Sequence, residues 1–130
     1  IQFNIDAGNL GFYRDLTAFL GWDTVYFDPD TGALGVAAHG TDLWFVGGAK
    51  DVGNDYDGPG MNHLAFSVER QSDVDAAVAY LGERQVTPLF DTPRHRPEFS
   101  ASEQDTYYQV MFESPDRILF EIVYTGPRQA

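Results

Sequence analysis

Two stretches of this chain, one opening at Gln2 and the other at His63, follow the same course of apolar and polar residues. Leu20 lies eighteen residues after Gln2, Leu81 lies eighteen after His63, and a glycine follows each, Gly21 and Gly82. The alternation in "QFNID" falls in phase with that in "HLAFS"; such alternation marks a strand, whose side chains point to opposite faces every two residues. Each strand then gives way to a helical spacing, Leu10, Tyr13, Leu16 or Thr17 and Leu20 in the first stretch, Val74, Val78 and Leu81 in the second. A repeat of this length restricts the chain to folds that build one supersecondary unit twice.

Boundary residues agree with the periodicity. Asn9 is suited to cap the first helix and Gly21 to stop it, while Ser72 and Asp75 form a candidate capping box for the second. Strand-like runs follow each helix: "TVYFD", "ALGVAA" and "TDLWFV" in the first half, "QVTPLF", "TYYQVMF" and "RILFEIVY" in the second. Between the halves, "GGAKDVGNDYDGPG" has little to bury and reads as a connection. The fold class that follows is α+β, a single domain over residues 1–130 of two tandem β-α-β-β-β modules, at about 1–47 and 61–126, with a linker at about 48–60. Their curved sheets are expected to form a cleft. Matching the "SPDR" turn before "ILFEIV" to "AHGT" before "DLWFV" makes Phe45 the equivalent of Glu121.

With 43% hydrophobic residues, among them ten Phe and seven Tyr, 130 residues suffice to bury a core without disulfide or metal staples. A formal net charge of −12 repels phosphate backbones and anionic lipid, so nucleic acid and membrane are poor partners and a neutral or cationic small molecule a better one. The chain has no cysteine, which removes disulfides, thiolate ligands and Cys nucleophiles together. There is no apolar run of membrane-helix length and no signal-peptide pattern, so a cytoplasmic protein is expected. Walker loop, dinucleotide-binding glycine fingerprint and GxSxG elbow are all missing.

On the shared concave face, the register gathers Gln2, Phe45, His63 and Glu121. Glu121 stands in "ILFEIVY" among aliphatics, where a carboxylate is costly unless paired or bound to a cation. A neutral imidazole, a carboxylate and the amide oxygen of Gln2 suit a divalent first-row metal; equally, Glu121 could pair with an arginine and His63 be a hydrogen-bonded core residue. In "TPRHRPEF", Arg94 and Arg96 read as a substrate-anion clamp or as surface arginines paired with local acids. Tyr107 and Tyr108 open a strand, so one faces the helix and the other the cleft, Tyr107 read as substrate-binding and Tyr108 as a catalytic acid, with plain packing the alternative. His39 reads as a turn residue, and Trp44 as core or a subunit interface.

The paired β-α-β-β-β halves, "FLGW" closing the first helix, "GMNHLAFSV" opening the second half and "YYQVMFESPDRILFEIVY" closing it together resemble the vicinal oxygen chelate superfamily of glyoxalases, fosfomycin and bleomycin resistance proteins and extradiol dioxygenases. The resemblance spans nearly the whole chain and rests on the order of the motifs. It implies Gln2, His63 and Glu121 as metal ligands, with Glu121 a ligand or a catalytic base, and Phe45, which cannot coordinate, on the substrate side at the fourth position. It implies a divalent cation, Fe, Mn, Ni or Zn, and a homodimer. The function expected is a metal-dependent lyase, isomerase or dioxygenase for a small oxygenated substrate, or alternatively a metal-free protein that sequesters a small molecule as bleomycin resistance proteins do.

Overall fold

The computed structural model describes residues 1–129 and resolves the repeat into two four-stranded sheets with one strand order. In the first half β1 (Gln2–Asn4) leads through a 3-10 turn into α1 (Leu10–Phe19), then β2 (Asp23–Asp28), β3 (Ala33–Ala38) and β4 (Thr41–Val46). The second half repeats this with β5 (Leu64–Ser67), α2 (Gln71–Glu83), β6 (Leu89–His95), a 3-10 turn at Pro97–Phe99, β7 (Asp105–Glu113) and β8 (Leu119–Pro127). The sheets run β1-β4-β3-β2 and β5-β8-β7-β6. In each, the first strand lies parallel to the last and the other pairs are antiparallel. A parallel pair cannot be closed by a hairpin, and here the crossover contains the helix. The chain divides into two compact units, residues 1–54 and residues 55 onward.

Each helix buries most of the face its spacing predicts, with Leu20 and Val78 only half-buried. Leu10, Tyr13, Leu16 and Thr17 of α1 are buried, with Tyr13 stacked 4.6 Å from Phe45, which stacks in turn 5.1 Å from Phe3. Under α2, Phe120 of β8 lies 5.9 Å from Phe66 and 5.8 Å from Phe112, beside buried Val74, Ala77 and Leu81. Burying a Phe side chain contributes roughly 1.5–3 kcal/mol, so these clusters are major stabilising groups of their units. Gly21 stops α1 as expected, at φ +85°, a conformation only glycine adopts without strain.

Three boundaries differ from expectation. The capping box of α2 is formed two residues earlier than Ser72 and Asp75: Asp73 accepts from the backbone N–H of Arg70, and Asp75 serves another partner. The strand expected over "QVTPLF" runs instead from Leu89 to His95, so it takes in Arg94 while Arg96 lies just beyond its end. Pro93 is tolerated because β6 is an edge strand, where a missing N–H leaves no inner ladder bond unmade. The expected linker is also partly structured, since the Tyr56 hydroxyl donates to Glu113 at 2.5 Å. No helix among the described residues is long and apolar enough to cross a membrane.

On the face of the first sheet away from α1, the Trp44 ring lies flat across Gly35, its partner in the ladder. The indole N–H donates to Asp42 at 2.6 Å, which holds the ring down. A Cβ at Gly35 would stand 2.7 Å from the ring carbons Cη2 and Cζ3. Gly35→Ala should therefore cost about 1–3 kcal/mol, the usual range for overpacking, and shift Trp emission to the red. Chemical unfolding followed by fluorescence checks both, and adding Trp44→Leu should recover most of the loss.

Candidate functional site

β8 is an inner strand of the second sheet, and on it Glu121 sits in register with Met111 of β7 and Ala65 of β5. Its carboxylate is 2% exposed. Residues two apart on a strand share a face, so Tyr107, Gln109 and Met111 line up beside it. The Tyr107 hydroxyl donates to both carboxylate oxygens, at 2.9 and 3.1 Å, and the Gln109 amide nitrogen donates to Oε2. Those donors compensate the burial of a charge that would otherwise be very costly. Burial and the neighbouring Glu121 push the Tyr107 phenol up to about 12, so it stays a protonated donor at neutral pH.

Gln109 is itself fixed from the other side. Its amide oxygen accepts from Arg96 Nη1 at 3.0 Å, leaving the nitrogen to face Glu121. Arg96 is held by Glu98, which accepts from Nε at 2.5 Å, and stacks over Phe99 with its guanidinium carbon 4.7 Å from the ring centre.

His63 stands one residue before β5 and points the same way as Ala65, toward Glu121. Its Nε2 lies 3.5 Å from Glu121 Oε1, and its Nδ1 lies 2.7 Å from the Asn62 amide oxygen. Asn62 is oriented in turn, because its amide nitrogen donates to the Tyr56 carbonyl at 2.9 Å. With an acceptor at Nδ1, that nitrogen carries the proton of the neutral ring, and Nε2 presents a lone pair. Two acceptors therefore face each other across 3.5 Å. Such a gap is stable when a cation or proton occupies it.

The pair opens onto a cavity of about 570 Å3 whose wall includes Tyr56, Asp57, Phe90, Arg96, Phe99 and Leu119. A molecule of modest size fits that volume, with an apolar wall and a few convergent polar groups.

No family profile and no curated protein sequence matches the chain. Solved structures do. A candidate glyoxalase from Bacillus halodurans is 26% identical, with a TM-score of 0.76 over 95% of this chain and 92% of that one. This chain belongs to the vicinal oxygen chelate superfamily. A glyoxalase/dioxygenase from Nostoc punctiforme shares the fold at 20% identity, TM-score 0.73, covering 97% of this chain and 88% of that one. The fosfomycin resistance protein FosX from Listeria monocytogenes, complexed with Mn(II) and sulfate ion, shares it at 16% identity, TM-score 0.65, covering 95% and 85%.

Of the residues singled out in the sequence of this vicinal oxygen chelate protein, the second unit brings together His63, Glu121, Tyr107 and Arg96. Gln2 lies in the first unit, exposed, with its amide nitrogen 3.1 Å from Asn4 Oδ1. Phe45 is corrected: it is 1% exposed in the core against Tyr13, not on a substrate face. The repeat was placed one residue out in β4. Asn4 pairs with Val46 as Ala65 pairs with Glu121, so Val46 is the true equivalent, and a slip of one residue reverses the face.

Tyr108 is likewise corrected, since its hydroxyl donates at 2.6 Å to Asp75 of α2, on the helix side and away from Glu121. Arg94 is exposed and stands outside the cavity wall, opposite Gln109 in the ladder. Residues the sequence reading passed over are Asn62, Gln109, Tyr56, Phe90 and Phe99. Gln109 had a signal: an amide two places from Tyr107 in an otherwise apolar strand. Tyr56 had one too, as the lone aromatic of a Gly- and Asp-rich stretch.

Burial and the Asp75 carboxylate push the Tyr108 phenol up to about 12. A group raised on folding stabilises fully below its unfolded value, about pH 10. That contribution is lost as pH rises through about 12. Tyr108→Phe should therefore show a smaller fall in melting temperature between about pH 9 and 11.5 than the parent protein, as read by circular dichroism.

Proposed function

We propose that this protein is a metal-dependent enzyme of glyoxalase or dioxygenase type, a lyase, isomerase or dioxygenase acting on a small oxygenated substrate. A divalent cation, Fe, Mn, Ni or Zn, would be held by His63 and Glu121, leaving positions open for substrate oxygens. The observation that carries this reading is the pair of facing acceptors, the Nε2 lone pair of His63 and Oε1 of Glu121, 3.5 Å apart. Two atoms that share a first-row cation, each about 2.1 Å from it, stand about 3.0–3.4 Å apart at octahedral to tetrahedral angles. The separation fits. Asn62 fixes the tautomer of His63 as an outer partner of a ligating imidazole does. That FosX is complexed with Mn(II) supports a cation on this fold.

When bound, the cation would supply Lewis-acid polarisation of a substrate oxygen. This chain's own residues do the rest. Tyr107 and Gln109 hold the carboxylate plane of Glu121, Arg96 holds Gln109, and Tyr56 holds Asn62.

A second reading is a metal-free sequestering protein, in which His63 takes up a proton and forms an ion pair with Glu121. It is favoured by one fact: among the described residues no group of three His, Cys, Asp or Glu side chains gathers where an ion could sit.

Melting curves separate the two. Metal at a hundredfold excess over its dissociation constant stabilises by about 2.7 kcal/mol, so Mn, Ni, Zn or Fe(II) should raise the midpoint by several degrees near neutral pH. The gain should shrink as the solution is made acidic, because protons compete with the metal for its ligands. It should vanish in His63→Ala. If none of these cations moves the midpoint of the parent protein, the sequestering reading stands.

A further inference from the structure

We propose that the cavity over His63 and Glu121 takes an uncharged substrate with a flat apolar body, its oxygen-bearing end toward the pair. The proposal rests on the reading of that pair as the site of chemistry, and adds the class of molecule. Three features of the cavity lead to it.

The first is the wall. Met111 and Leu119 form buried apolar surface beside Glu121, while Phe90 and Phe99 stand at 50% and 56% exposure on the same cavity. Isolated exposed aromatics need no explanation, but two on one cavity above a polar pair make an apolar grip around an oriented end. A flat ring offers such aromatics more contact than a chain of equal size.

The second is the backbone that presents Phe90. Phe90 and Asp91 both have positive φ, +59° and +58°, in the left-handed region that bulky side chains avoid. The ladder between β6 and β7 shifts register over the same stretch, between Leu89 and Arg94. A regular strand would avoid this strain. The irregular one carries Phe90 onto the cavity wall, and strain of this kind concentrates where a side chain serves a ligand.

The third is charge. Arg96 is the cation on the wall, and its fork is engaged, Nε by Glu98 and Nη1 by Gln109. The carboxylates of Asp57 and Glu121 share the wall, in a chain of net charge −12. An anionic substrate would find Nε and Nη1 of Arg96 already engaged and two carboxylates on the wall. A cationic one would meet Arg96 and the ion held at the pair. The anion-clamp role read from the sequence for Arg96 gives way to a positioning role on Gln109.

Calorimetry with three probes tests this. 2-Hydroxyacetophenone, PhC(O)CH2OH, carries adjacent oxygens on a side chain attached to a neutral ring, hydroxyacetone has the same oxygens without the ring, and mandelate has the ring with a carboxylate. The first should bind roughly tenfold or more tighter than hydroxyacetone, the scale expected for burying a ring, and tighter than mandelate, whose carboxylate meets the acidic wall. Phe90→Ala should bring the ring preference to within about threefold, with Phe99→Ala as an independent second variant. Each titration is run after chelator treatment and again with Mn(II). A ring preference that persists while Mn(II) has no effect removes the metal reading and leaves this proposal standing. Overturning results are mandelate or hydroxyacetone binding as well as 2-hydroxyacetophenone, no binding of 2-hydroxyacetophenone at millimolar concentration in either state, or an unchanged preference in both alanine variants.

Discussion

A carboxylate buried in the middle of a sheet sets the terms for everything around it. Glu121 is 2% exposed on an inner strand, where an unsatisfied charge would outweigh most of what the neighbouring apolar contacts contribute. Its burial is possible because β7 delivers donors at alternate positions, Tyr107 and Gln109, onto the same face. Those donors account for Oε2 and part of Oε1, and the rest of Oε1 looks at His63. The site is thus a buried charge held by donors from one neighbouring strand, with the imidazole of His63 alongside.

The surrounding residues extend outward as two short relays. One runs from Glu121 through Gln109 and Arg96 to Glu98, the other from His63 through Asn62 to the Tyr56 carbonyl. Each fixes an ambiguous group, an amide in the first and an imidazole tautomer in the second. No buried side-chain nitrogen or oxygen among the described residues lacks a partner. Around this polar floor stand Phe90, Phe99, Met111 and Leu119, which give the cavity its apolar side. The proposed chemistry thus sits at the polar floor and the proposed recognition at the apolar wall.

Much of this was legible in the sequence, and the reasons for the misses are physical. The repeat was readable because spacing fixes both the length of each helix and the strand that precedes it, and the common strand order of the two sheets follows from it. His63 and Glu121 were readable because a titratable side chain on an apolar strand face is conspicuous. Phe45 failed because turns of different length precede β4 and β8, and a one-residue error inverts a strand's face. Tyr108 failed for a related reason: adjacent tyrosines guarantee that one faces each way, but nothing local says which. The place of Arg94 in a strand was hidden because Pro93 precedes it, whereas an edge strand accepts proline. Phe90 was hidden because its place on the wall depends on a backbone irregularity that alternation cannot reveal.

The claim at the centre of this account is that Nε2 of His63 and Oε1 of Glu121 face each other as two acceptors in need of a cation. Crystals grown with Mn(II), measured at a wavelength where manganese scatters anomalously, test it directly. The account predicts an anomalous peak about 2.0–2.3 Å from both atoms, with the Asn62 amide oxygen still on Nδ1. A map with no peak there, and the imidazole turned so that Nδ1 and not Nε2 meets the carboxylate, would contradict it.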